Sequence, residues 1–407
     1  MTTPPSLHQV RQDFSLSALV AGFLAVLISY AGPLVIVFQA ASLAHLTTEQ
    51  TSSWIWAISI GSGLTGLWLS WRLKTPVITA WSTPGAALLV TMLPSLPLAQ
   101  AVGAYIVSSL AITLIGLSGV FDRLIERIPR GIAAAMLAGI LLRFGTEVFA
   151  AVPANPALVA LMVLTFLLLK RFWPRYAIAG VMLVGIAFAI LADRTHLSQI
   201  HLAVVHPVLL MPEWSWNAVL SLGLPLALVT LTGQYVPGMA VLRTAGYKVQ
   251  AGRIVSVTGL ASLLLAPFGS HGVNLAAITA AICTGTEAHE KSDKRYIAGM
   301  ACGLIYILIG TFGGALALLF ASLPRELIAA LAGLALIGAI TTGLIGAVND
   351  DKHRDASIVT FLVTASGMSY LGLGAAFWGL VIGALAYLVL HKPWQPIQVS
   401  LAIAPKA

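Results

Sequence analysis

Two short stretches of the 407-residue chain bring together residue types that can hold an anion without a metal or a fixed charge. Trp81-Ser82-Thr83-Pro84-Gly85 joins a hydroxyl pair to a proline and a glycine. Ser270-His271-Gly272-Val273-Asn274 sets a hydroxyl, an imidazole and an amide around another glycine. A hydroxyl residue followed by proline is a helix start, which makes Thr83 the expected N-cap and Pro84 the first helical position. The first N–H groups of such a helix lack intrahelical partners and carry roughly half a positive charge. Gly85 and Gly272 have no side chain to keep a ligand from the backbone. The chemistry expected is binding. Ser82, Thr83, Gly85, Ser270, His271, Gly272 and Asn274 are candidate contacts for an anion, or caps of their own helices. Tyr30, Trp81, Tyr235 and Phe268 are candidate walls for an aromatic ring, or core packing. The apolar segments contain no metal cluster, nucleophile–base pair or nucleotide loop, so neither an enzyme nor a cofactor or metal is expected.

The acids sharpen this reading. Thirteen of the 14 lie in loops or at segment ends, and Glu147 sits near the end of its segment. None falls in the middle of the segment near 217–242 or of the one that carries the second motif, where a cation or proton carrier commonly keeps one. Gln234, His271 and Asn274 occupy those regions instead, and donors without negative charge suit an anion. A transported proton then needs another carrier. His271 has the side chain whose unperturbed pKa lies nearest neutrality, and it is either that carrier or a satisfied structural imidazole. Arg143 and Glu147, spaced i,i+4, form either a snorkelling surface pair or a gate counter-ion and proton relay. Gln39, a polar residue toward the end of the first segment, is expected to pack against a partner.

These residues need elements to hold them, and composition says where those elements sit. The chain is 58% hydrophobic and 9% charged, against roughly 25% charged in a soluble domain. Lipid as solvent explains the deficit, because a buried charge there costs several kcal/mol. The net charge of +8 does not indicate nucleic acid, because the basic residues sit in short runs between apolar segments. No cleaved signal peptide is expected, and Cys283 and Cys302 are expected to remain unpaired.

Segments of spanning length or composition fall near 16–38, 53–71, 76–93, 98–120, 131–149, 155–172, 175–192, 217–242, 252–267, 268–284, 297–321, 326–348, 356–371 and 374–391, where a full crossing takes about 20 apolar residues. With both termini cytoplasmic, nineteen of the 22 basic residues lie inside, as the positive-inside rule requires. The stretch 121–130 reads as an interfacial cytoplasmic helix. The stretch 193–217, with His196, His201, His206, Trp214 and Trp216, reads as an external segment with aromatic anchors and no metal spacing.

The fourteen segments divide into two sevens. Ile128-Pro129-Arg130 before segment five matches Leu323-Pro324-Arg325 before segment twelve, and Leu137-Ala138-Gly139 matches Leu331-Ala332-Gly333. Tyr30-Ala31-Gly32-Pro33 in segment one matches Tyr235-Val236-Pro237-Gly238 in segment eight. An odd number of spans per repeat inverts the second copy, a transporter signature with the substrate where the repeats meet. Segments three and ten are too broken for continuous helices. Each is expected to run extended to mid-membrane and then start a half-length helix of about 15 Å, from Thr83 to about Leu93 and from Val273 to about Cys283. Irregular backbone at that depth must line an enclosed cavity.

On the two broken motifs, the length and the segment count, the chain resembles the bacterial benzoate transporter family. That family is described as proton–benzoate symporters related to nucleobase and sulfate transporters. The resemblance covers nearly the whole chain. It implies an all-α polytopic fold of fourteen spans in 7+7 inverted repeats, with half-helices in spans three and ten. It implies a core domain (14–120 and 194–321) and a gate domain (121–193 and 322–392). It also implies import of benzoate or a similar aromatic carboxylate with protons, by alternating access at the inner membrane. Partners implied are a small organic anion, protons and the bilayer; a homodimer is allowed and nucleic acid is not. Related nucleobase carriers hold substrate with acids on spans eight and ten, where this chain has Gln234 and Asn274, and that departure favours a carboxylate. An uncoupled anion channel, or a carrier of another small anion or a nucleobase, is the alternative.

Overall fold

The computed structural model describes residues 4–121, 123, 130–174, 177–192, 204–286, 288–315, 318, 322–351, 353–371 and 373–391. Most of the expected interfacial helix at 121–130, residues 193–203 of the external segment, and the C-terminal tail lie outside the described residues.

The first half runs α1 (Leu7–Asp13), α2 (Leu16–Ala31), α3 (Pro33–Leu43), α4 (Thr48–Leu73), β1 (Thr79–Trp81), α5 (Thr83–Met92), α6 (Leu98–Ser118), α7 (Arg130–Ala150), α8 (Pro156–Phe172) and α9 (Ala177–Leu191). The second half holds a helical segment, Trp216–Arg243, whose later part contains α10 (Leu224–Thr230) and α11 (Val236–Thr244). It continues with α12 (Ala251–Leu265), β2 (Val273–Leu275), α13 (Ile278–Thr284), α14 (Tyr296–Thr311), α15 (Arg325–Val348), α16 (Arg354–Ala365), a two-residue strand pair β3 (Ser369–Tyr370) and β4 (Leu373–Gly374), and α17 (Ala375–His391). Among the described residues, six helical stretches are by themselves long and apolar enough to cross a membrane, including Leu16–Leu43, Trp216–Arg243 and Arg325–Val348. The protein is therefore an all-helical, multi-span membrane protein with two small strand pairs.

Prolines decide where the long segments bend. Pro33 has no N–H for the Ser29 carbonyl, so α2 stops at Gly32 and α3 restarts. In the eighth segment, Pro225 and Pro237 each follow a π-helical stretch, Val219–Gly223 and Leu231–Tyr235. A missing donor loosens the i→i−4 ladder and lets one wide turn form.

The two broken segments meet back to back. Antiparallel pairing sets Thr79 against Leu275, Ala80 against Asn274 and Trp81 against Val273. Every residue of both strands is buried. The pairing answers the cost of extended backbone away from water, because each strand satisfies the other. Hydroxyls from the neighbouring helices do the rest. Ser70 Oγ donates to the Val77 carbonyl and accepts from its N–H, both at 3.1 Å. Ser262 Oγ does the same for Val273, at 3.0 and 2.7 Å.

The pairing corrects two expectations. Val273 and Asn274 are strand, and the second half-helix starts at Ile278 with seven residues. In the first, Ser82 rather than Thr83 is the N-cap, its Oγ accepting from Gly85 N–H at 3.0 Å. At the far end of α13, Arg295 donates to the carbonyls of Thr284 (2.7 Å), His289 (2.7 Å) and Glu290 (3.2 Å). A cation on the last carbonyls both caps the helix and complements its dipole.

Packing follows two blocks. In one, α4 lies on α14 and α12 on α6, with α3 against α5. In the other, α7 lies on α15 and α16, α16 on α17, and α8 on α9.

Candidate functional site

A cavity of about 400 Å³ opens between the two blocks. Residues flanking the first turns of both half-helices reach it: Thr83 and Pro84 from α5, and Ala276, Ala277 and Thr279 around the start of α13. The breaks in the first and eighth segments border it too, through Ser29, Gly32 and Pro33, and through Gly233 and Gln234. The π-helical turn ahead of Pro237 is what carries Gln234, 9% exposed, to this wall. The opposite wall is apolar, with Leu137 and Leu141 of α7, Phe166 of α8, Ile178 of α9 and Leu334 and Leu336 of α15. Lys170 and Pro174, both exposed, border the cavity and form its mouth. Among the described lining residues Lys170 is the one charge, and none is an acid.

The donors of the two helix starts are unequal. In α5, Pro84 has no N–H, and the Gly85 N–H is taken by Ser82. At α13, the cap position is Ala277, whose methyl group cannot accept a hydrogen bond. The first N–H groups of α13 are therefore left for a ligand or water.

Of the residues singled out by sequence, Trp81, Thr83 and Gln234 line the cavity. Ser82, Gly85, Tyr30, Tyr235, Ser270, His271, Gly272 and Asn274 stand behind that wall. Tyr30 OH bonds Ser59 Oγ at 2.5 Å, and Tyr235 OH bonds Thr258 Oγ1 at 2.6 Å. Each of these two tyrosines thus pins its own segment to the helix that follows it. A Cβ on Gly85 would lie 2.7 Å from Leu226 Cδ1 and 2.8 Å from the capping Ser82 Oγ, so close packing explains this glycine. Gly272 has φ +139° with nothing nearer than 4.0 Å to a Cβ, so conformation alone requires glycine there. Ser270 Oγ and both amide atoms of Asn274 are buried without a partner. Phe268 lies edge-on to Trp56, ring centres 5.7 Å apart, and does not reach the cavity.

His271 is 2% exposed and held at both ring nitrogens. The Trp54 indole N–H lies 3.0 Å from Nδ1, and the Ser82 carbonyl lies 3.1 Å from Nε2. An indole can only donate and a carbonyl can only accept. The ring is thereby set as the neutral tautomer with its proton on Nε2, bracing one broken segment against the other.

Arg143 and Glu147 pair as their spacing predicts, Nε to Oε1 at 3.1 Å. Sequence did not identify their third member. Gln39 Nε2, from α3, donates to Glu147 Oε2 at 2.7 Å, so the pair on α7 is tied across the two packing blocks. The apolar wall also went unforeseen, since Leu137, Phe166 and Ile178 read as ordinary lipid-segment residues. Nearby signals for it were the repeated Leu-Ala-Gly at 137–139 and the Lys170-Arg171 pair that ends α8.

Two half-length helices reach a cavity with no acid among its described lining residues, within a multi-span helical membrane protein. The chain belongs to the benzoate membrane transport protein family, which matches residues 12–389. It is 52% identical over 387 residues to the benzoate membrane transport protein of Acinetobacter baylyi, covering 95% of this chain and 98% of that one. It is 45% identical over 373 residues to the inner membrane protein YdcO of Escherichia coli, covering 92% and 95%. In fold it resembles SLC26A9, with TM-score 0.60 and 16% identity over 93% of this chain and 65% of that one. It also resembles the transmembrane domain of the cyanobacterial bicarbonate transporter BicA, with TM-score 0.59 and 13% identity over 95% and 99%.

Proposed function

We propose that this chain imports benzoate, or a similar aromatic carboxylate, across the bacterial inner membrane with protons and by alternating access. The observation that carries the reading is the two-sided cavity. Polar groups and helix starts come from one packing block and an apolar wall from the other, which matches a ligand with a carboxylate at one end and a ring at the other. Its volume falls within the roughly 300–1,000 Å³ usual for small-molecule sites. Uncapped N–H groups at α13 replace the water that the carboxylate loses.

On this reading the blocks are the core (14–120 and 194–321) and gate (121–193 and 322–392) domains of a fourteen-span, 7+7 inverted repeat with both termini cytoplasmic. The pairing of α4 with α14 and of α12 with α6 supports the repeat, since each pair joins a second span to the other half's fourth. The basic pair at the mouth, Lys170-Arg171, supports a cavity open to the cytoplasm. Glu147 is then on the external side, where its bond from Gln39 holds gate against core, with Arg143 beside it on the same helix. We assign proton coupling to Glu147: protonation weakens its bond from Gln39, the one that crosses the blocks, and frees the domains to part. His271, braced at both nitrogens, is a positioning residue. Glu147→Gln is expected to keep benzoate counterflow while losing proton-driven accumulation; unchanged accumulation would return the role to His271 or to entry of the neutral acid.

Proteoliposomes carrying the protein and offered labelled benzoate, uracil, sulfate and bicarbonate test the whole reading. Saturable benzoate uptake with counterflow is expected. Single-channel currents without saturation would identify a channel instead, and preference for uracil or bicarbonate would reassign the substrate.

A further inference from the structure

Trp81 carries a feature that a ring-stacking wall residue would not need. Its side chain is 1% exposed, lines the cavity, and has no acceptor for its indole N–H. Buried donors are nearly always paired, so an orphan asks for a partner that comes and goes. Among the described residues lining the cavity, no other side chain has a buried polar atom without a partner.

The indole is also held still. Tyr30 meets it edge-on with ring centres 5.4 Å apart at 74°, and Tyr306 at 5.9 Å and 77°. Tyr30 is itself anchored to Ser59. Backbone pairing of Trp81 with Val273 fixes the chain beneath. A donor fixed before the ligand arrives loses little freedom on binding. An indole N–H donates only, and so accepts a carboxylate while offering nothing to an amine or an ammonium group. It is neutral, so it can release the anion when the domains move, where a buried cation would hold it.

We infer that the Trp81 indole N–H is the side-chain donor that selects a carboxylate in this cavity, pairing with one carboxylate oxygen beside the starts of the two half-helices. The inference rests on the proposed aromatic-acid substrate. It assigns Trp81 the polar end of that ligand and leaves the ring to Leu137, Phe166 and Ile178.

Benzoate binding to the purified full-length protein in detergent, compared between wild type and Trp81→Phe, tests the assignment. The phenyl ring keeps an aromatic face and removes the donor together with one ring of the buried indole, so the resonance of the indole N–H in wild type separates the donor from the lost packing. Affinity should fall roughly ten- to a hundredfold, as for loss of a hydrogen bond to a charged group. In wild type labelled with 15N-tryptophan, one indole N–H resonance should move downfield as benzoate is added, and Trp81→Phe should delete that resonance. Trp81→Phe binding within twofold of wild type, or titration that leaves the Trp81 resonance in place while benzoate binds, overturns the inference and leaves the substrate reading standing. Absence of benzoate binding to wild type overturns both.

Discussion

The two broken segments look like copies of one design, yet they do different work. Segment three ends in a ten-residue helix, α5, that is already complete: Ser82 caps it and Pro84 removes a donor. Segment ten ends in a seven-residue helix, α13, that is open at its start and closed at its end, where Arg295 caps Thr284. A helix whose orphan donors are satisfied offers a ligand little, and one whose donors are left over can take an anion or water, which is why the proposed function puts the carboxylate at α13. On the proposed reading, approximate repeat symmetry sets the geometry of the cavity, while local departures from it set where a ligand binds.

The sharpest way to break this asymmetry is to cap the open helix. Ala277→Asp would place a carboxylate on the free N–H groups of α13 and repel an anion at close range. Benzoate uptake is expected to fall by about two orders of magnitude, equal to roughly 2.8 kcal/mol at about 1.4 kcal/mol per tenfold change. Ser82→Ala removes the existing cap of α5 and should cost about 1 kcal/mol of stability while lowering uptake much less. Equal losses of uptake in the two variants would restore the symmetric picture.

Glycines give the next contrast. Gly272→Val forces a β-branched residue to φ +139°, a strain of about 1–3 kcal/mol, although a Cβ there meets nothing nearer than 4.0 Å. Uptake should be abolished while the protein still reaches the membrane, as read by fluorescence size exclusion of a tagged protein. Gly85→Ala instead pushes against Leu226 and Ser82, and its first effect should be on thermal stability. A folded, fully active Gly272→Val would remove the conformational argument.

Asn274 tests whether the strand pair shares in the site. Its amide is fully buried, lacks partners, and sits across from Ala80, which borders the cavity. Asn274→Asp should weaken benzoate binding more than Asn274→Ala, because a fixed negative charge at low dielectric opposes the ligand. Wild-type affinity in Asn274→Asp would exclude it.

The smallest expected effect lies outside the membrane-spanning segments. Burial pushes the Asp13 carboxyl up, but Lys294 and the Tyr296 hydroxyl, each 3.0 Å away, outweigh it and hold the group below the ordinary carboxylate range. A depressed value stabilises the fold above the unfolded carboxylate range, and that contribution is lost as pH falls through the folded value. Asp13→Asn should remove that acid limb from a thermal-stability profile and cost about 1 kcal/mol at neutral pH. A profile that keeps the limb would locate it at another carboxylate.

Much of this protein was legible in its residues. A low charge content and runs of apolar residues determine a multi-span helical bundle, because lipid penalises charge, and Pro84 reads as a break, because proline removes a donor; Pro33 and Pro237 sit inside segments that read as continuous, and their bends appear only in the fold. The two motifs at 81–85 and 270–274 also read correctly as breaks. What sequence could not decide is which broken backbone the other would satisfy. The pairing of Thr79–Trp81 with Val273–Leu275 joins residues almost two hundred positions apart, and it turned an expected helix start at Val273 into a strand. The same holds for Trp54 reaching His271 and for Gln39 reaching Glu147. Local rules say that a buried donor must find an acceptor; only the packed fold brings a particular acceptor within 3 Å, or leaves the Trp81 indole without one.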